Sequence, residues 1–95
     1  MQNNDISVRI EVKHSRRGCA TPFSRWALPG RIWVRGYALD GSRVYSHHVG
    51  YVDLRWRGPR SHFAQVLSVA QTRLLAEVES GATAVAMTLP NGVTL

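Results

Sequence analysis

His14, His47, His48, His62 and Cys19 are the side chains of this sequence best suited to acid–base, nucleophilic or metal chemistry. Their spacing argues against most of it. Neighbouring residues on a strand point to opposite faces, so His47 and His48 cannot close on one ion, and no pair of these histidines has a recognised zinc spacing. No metal and no other cofactor is therefore expected. Cys19 follows Arg16 and Arg17, whose charge would lower a thiol pKa, but no base partner accompanies it, and an unreactive loop thiol is the simpler reading. A metal-independent ribonuclease needs two groups that titrate near neutrality; His48 with His14, helped by Arg35, is the arrangement this chain offers. Arg57-Gly58-Pro59-Arg60 has neither the glycines nor the lysine of a phosphate loop. Arg57 and Arg60 do stand beside Ser61 at a helix start, where free N–H groups attract an anion. No catalytic residue is assigned, and the chain reads as a non-enzyme.

The chemistry the sequence favours is recognition. From Arg31 to Asp53, two runs rich in aromatic and β-branched residues flank Asp40-Gly41, a pair suited to a two-residue type I′ hairpin turn. With Leu39 opposite Ser42, that turn sets Tyr37 against Val44, Arg35 against Ser46 and Trp33 against His48. On the other side it sets Ile32 against Val49, Val34 against His47 and Gly36 against Tyr45. One face then carries Ile32, Val34, Ala38, Tyr45, Val49 and Tyr51 and makes a core. The other alternates Arg31, Trp33, Arg35 and Tyr37, a basic and aromatic surface.

The elements that must position this hairpin are few. Ile6, Val8, Ile10 and Val12 alternate with Ser7, Arg9, Glu11 and Lys13, the period of a strand with one wet face. Residues 14–30 break every period with Gly18, Pro22, Pro29 and Gly30, and predict a long ordered loop with Arg16, Arg17 and Arg25 outward. Arg55 to Arg60 ends the hairpin. Ser61 then reads as the N-cap of a helix over 62–80, in which Phe63, Val66, Leu67, Ala70, Leu74 and Val78 form an apolar stripe and Gly81 supplies the stop. Ala84 to Leu89 reads as a short strand, with Pro90-Asn91-Gly92 turning back into Val93 to Leu95. The order is β-β-β-α-β, an α+β two-layer sandwich with one helix on a small mixed or antiparallel sheet, in a single domain over 1–95.

That order resembles, in topology, the opening half of the ribonuclease-H-like fold, which begins with three antiparallel strands, a helix and a strand beside the first. The family's metal chemistry requires a cluster of carboxylates. Glu11 stands where the first belongs, but Gln65 occupies the early helix and the strand from Ala84 to Leu89 contributes no acid, so the resemblance implies the fold without the activity.

Composition narrows the function. The chain has 95 residues, twelve basic against six acidic, with Lys13 as the sole lysine and a net charge of +6. Guanidinium suits carboxylates, phosphates and aromatic faces, although arginine richness also follows from nucleotide composition alone. A single cysteine excludes an intramolecular disulfide, and the start lacks the pattern of a signal peptide. With no apolar run near ~18 residues, the expectation is a cytoplasmic protein away from membranes, monomeric or homodimeric.

Two functions fit. One is a protein-interaction module, an inhibitor or adaptor acting on a protein or nucleoprotein complex. Phage and mobile-element accessory factors, including inhibitors of CRISPR nucleases, share this size and style. The other is direct nucleic-acid binding, with Trp33 and Tyr37 stacking bases while arginines neutralise backbone. The termini carry almost no positive charge, which favours the protein partner. In either case the expected contact residues are Arg9, Lys13, Arg16, Arg17, Arg25, Arg31, Trp33, Arg35, Tyr37, His48, Arg55, Arg57 and Arg60.

Overall fold

The computed structural model describes residues 5–15 and 28–90. They form β1 (Ser7–His14), β2 (Pro29–Tyr37), β3 (Arg43–Asp53), α1 (His62–Glu79) and β4 (Thr83–Ala84). The four strands make one mixed sheet in the order β3-β2-β1-β4, antiparallel except that β4 runs parallel to β1. The helix covers one face, giving the expected α+β two-layer arrangement.

Alternation in β1 and β2 sends Val8, Ile10, Val12, Ile32 and Val34 to the helix side, where they meet Phe63, Val66 and Ala70 of α1. Each such burial contributes roughly 1.5–3 kcal/mol, so the sheet and the helix stabilise one another and neither is stable alone. Leu67, Leu74 and Val78 line the edges of the helix stripe. Ser61 caps α1 as its sequence position implies: its Oγ accepts from the Ala64 N–H at 3.1 Å and donates to the Gly58 carbonyl at 2.6 Å. At the other end Ser80 closes the last turn on Ala76 and Gly81 takes a φ of 107°.

The hairpin departs from expectation at its turn and along β3. Gly41, at φ 88°, is left-handed, but no described residue other than glycine has positive φ, which excludes a type I′ turn. Instead the Ala38 N–H donates to the Ser42 carbonyl and the Gly41 N–H to the Ala38 carbonyl, a loop of Leu39, Asp40 and Gly41. Asp40 Oδ1 accepts from both the N–H and the hydroxyl of Ser42, so a side-chain turn takes the place of a left-handed Asp40. Trp33–His48, Val34–His47, Arg35–Ser46 and Gly36–Tyr45 pair as read from the sequence, but Tyr37 faces Arg43 and Ile32 faces Gly50. The register slips at those two points, leaving Val44 and Val49 as extra residues on β3.

The second slip changes a face. Beyond it Val52 becomes fully buried, and Tyr51, expected in the core, turns to the open side opposite Arg31. Val44 is half exposed rather than packed against Tyr37.

Two boundaries also move. Pro29 and Gly30, expected in the loop, already belong to β2 and pair with Asp53 and Val52. Proline is tolerated there because it is the first residue of the strand. The final strand, expected over 84–89, is regular only at Thr83–Ala84. The chain nevertheless follows β1, with Val85 N–H donating to the Val8 carbonyl and Thr88 N–H to the Ile10 carbonyl. Three residues thus span two on β1, and that surplus residue breaks the ladder. Residues 16–27 and 91–95, which include Arg16, Arg17, Cys19, Arg25 and the final turn, lie outside the described residues.

Candidate binding face

The sheet face opposite α1 collects Arg9, Glu11 and Lys13 from β1, Arg31, Trp33, Arg35 and Tyr37 from β2, and Ser46, His48 and Tyr51 from β3. No described element packs on it. Register places Arg9 beside Arg35, Glu11 beside Trp33 and Lys13 beside Arg31. Like charges directly opposite destabilise a sheet, and Glu11 sits between the two cation pairs.

Glu11 is only 4% exposed, yet its carboxylate is thoroughly partnered. Arg35 Nη1 donates to Oε1 at 3.0 Å, and the Tyr37 hydroxyl donates to Oε2. Lys13 Nζ lies 3.6 Å from Oε1 and Arg9 Nε 3.7 Å from Oε2. Burial works to raise the Glu11 pKa, but the hydrogen bonds from Tyr37 and Arg35, with the charges of Arg35 and Lys13, outweigh it and hold the carboxyl below its ordinary value. Burial, together with the neighbouring Glu11, raises the Tyr37 phenol, which stays protonated as donor. The residue placed by topological resemblance where a metal ligand would stand is therefore an electrostatic hub. No group of three potential metal-binding side chains occurs among the described residues.

Around this hub the rings are clamped by guanidinium groups. The Arg35 Cζ lies 4.4 Å from the Trp33 ring centroid, that of Arg9 lies 4.2 Å from Tyr37, and that of Arg31 lies 4.9 Å from Tyr51. His48 joins two rings edge to face, 4.7 Å from Trp33 and 4.8 Å from Tyr51. The result is one continuous series, Arg35, Trp33, His48, Tyr51 and Arg31, across two strands. Burial and then the charge of Arg31 depress the His48 pKa below the ordinary imidazole value, which favours the neutral ring.

Of the residues expected to make contact, Arg9, Lys13, Arg31, Trp33, Arg35, Tyr37 and His48 share this face. Arg35 differs from the rest, since its Nε also donates to Ser46 Oγ at 2.9 Å and only 14% of its side chain is exposed. It fastens the face together rather than reaching outward. Arg55, Arg57 and Arg60 belong instead to the connection between β3 and α1. The helix-start hydroxyl of Ser61 is buried and engaged in its cap, so it has no proton left for an anion.

The histidines do not assemble. His47 faces the helix side near Tyr45, as alternation requires. His14 pairs with Gly30 while His48 pairs with Trp33, so two strand spacings and three residues of rise separate their backbones, about 14 Å in all. That geometry, with Arg35 already engaged, does not support the ribonuclease pairing.

Three residues carry more than the sequence suggested. Glu11 is the hub and Tyr51 completes the ring series, while Trp56, away on the connection between Arg55 and Arg57, is 64% exposed. A tryptophan between two arginines was visible as a signal; the other two depend on strand register. Among the described residues no helix is long and apolar enough to cross a membrane. No protein-family model, curated protein or solved structure matches this chain.

Proposed function

We propose that this chain is a non-catalytic binding protein, an inhibitor or adaptor whose open sheet face docks on an acidic surface of a protein partner, including proteins that work within nucleoprotein complexes. The observation that carries this reading is the set of rings held under guanidinium groups on a sheet face that no described element covers. Arginine, tyrosine and tryptophan are the residue types that dominate binding energy at protein interfaces. The carboxylate at the centre offsets Arg9, Lys13 and Arg35, so the face is patterned rather than a uniform phosphate track.

Direct nucleic-acid binding is the second reading, favoured by the net charge of +6. Salt separates the two. Each neutralised phosphate releases counterions, so affinity resting on several phosphate contacts falls by orders of magnitude between low and moderate salt. A partner retained from the native host and identified by mass spectrometry should fade far less over the same range, because its aromatic anchors are not screened by salt. Trp33→Ala should weaken that complex by ~2 kcal/mol or more, with circular dichroism confirming the fold. Salt-steep binding to single- or double-stranded DNA or RNA, with no protein partner retained, would replace this proposal by the second reading.

A further inference from the structure

The cations of the open face are not equally compensated. All six carboxylate side chains of the chain lie among the described residues. Glu11 is shared by Arg9, Lys13 and Arg35. Asp40 is taken up by the hairpin turn. Asp53, the acid on β3 nearest to Arg31 in register, uses Oδ1 to accept the Leu28 and Arg55 N–H groups. Glu77 and Glu79 are on the helix, and Asp5 precedes β1 beyond the far end of the ladder from Arg31. Arg31 therefore stands directly opposite Lys13 with no carboxylate of its own. Its Nε is buried and finds no acceptor among the described residues, while its guanidinium plane is held over Tyr51.

We infer that Arg31, braced on Tyr51 and flanked by His48 and Lys13, is an oxyanion subsite of the open face. This rests on the docking face proposed above and names its ligand chemistry: the carboxylate of an acidic side chain on the partner. A planar guanidinium fixed against a ring has little side-chain freedom left to lose and offers a fork matched to two oxygens. An anion there offsets the charge of Arg31, which Glu11, shared by Arg9, Lys13 and Arg35, does not reach.

His48 reports on the site. It faces Arg31 and Trp33 from β2 and Tyr51 from its own strand, with Lys13 beyond on β1, and it lines one cavity with His47 and with Arg73 of α1. The charge of Arg31 helps to depress its pKa, so an anion on Arg31 should move the imidazole back up, and binding should tighten as His48 protonates on acidification.

The test follows the His48 ring signals by NMR from pH 5 to 8 in N-acetylglutamate amide, in sulfate and in chloride, at one ionic strength. The two oxyanions are expected to give a saturable shift and a raised His48 pKa that chloride does not give. The response should be lost in Arg31→Gln and kept in Arg43→Ala, which removes the same charge from the far end of β3, opposite Tyr37. A stronger response to the carboxylate than to sulfate supports the acidic-protein source, and the reverse order identifies a phosphate-like ligand for the same subsite. Equal shifts in chloride, or a full response in Arg31→Gln, overturn the subsite. Should Arg31→Gln not fold, Arg31→Lys keeps the charge without the fork and should weaken the response severalfold; an unchanged response overturns the proposal. Partner capture that persists without any His48 response counts against the subsite alone, whereas a His48 response without capture supports the subsite and counts against the docking face.

Discussion

Replacing Glu11 with glutamine tests the centre of the open face. The substitution keeps shape and volume but removes the negative charge that Arg35, Arg9 and Lys13 share. Hydrogen bonds to charged groups contribute roughly 1.5–3 kcal/mol each, and removing one partner of a buried pair costs about 3–5 kcal/mol. Both figures need discounting here. The side chains of Arg9 and Lys13 are 36% and 49% exposed, so they return to water and their contacts count for little. Glutamine also keeps an oxygen for the Tyr37 hydroxyl. What remains is the Arg35 contact and the repulsion of cations no longer offset, about 2–3 kcal/mol in all. Urea denaturation at neutral pH measures it. The pH dependence supplies the sign: the folded carboxyl titrates below its ordinary value of 4.5, so the unfolded chain binds the proton first. This stability is complete above that value and is lost as pH falls through the lower, folded pKa. Glu11→Gln should therefore narrow its deficit to wild type as acid is added. A loss under ~0.5 kcal/mol at neutral pH, or a deficit that stays constant into acid, would refute the hub.

Three other substitutions check the scaffold and the exposed surface. Gly36→Ala places a methyl group against the Tyr45 ring, which lies directly over Gly36, and should cost about 1–3 kcal/mol in urea denaturation. Ser61→Ala leaves the Ala64 N–H without its cap and should cost about 1 kcal/mol by the same measurement. Trp56→Ala, at a side chain largely in solvent, should leave stability within ~0.5 kcal/mol of wild type; a larger loss would show that the indole supports the fold after all.

Local rules sufficed for the elements. The alternation of Val8, Ile10 and Val12, the stripe of Phe63, Val66 and Ala70 and the Ser61 cap each depend on neighbours a few residues away. Period and capping read such neighbours directly, whereas Trp33 meets His48 because the extra residue Val44 offsets the longer turn. Tyr51 escaped because the slip after Val49 reverses every later side chain on β3, and an extra residue leaves no mark on a two-residue period.

The sequence by itself determined an α+β order, a helix with its apolar stripe, and one strand face carrying Arg31, Trp33, Arg35 and Tyr37. Only the tertiary structure decided what those residues do to one another. Glu11 meets Arg35 and Tyr37 through the pairing of β1 with β2, strands separated by a connection too long for any turn rule to set their register. That pairing is chosen by which apolar side chains pack under α1, and the charges on the opposite face follow from it. The same long-range choice gives Arg9, Lys13 and Arg35 a shared carboxylate and leaves Arg31 without one.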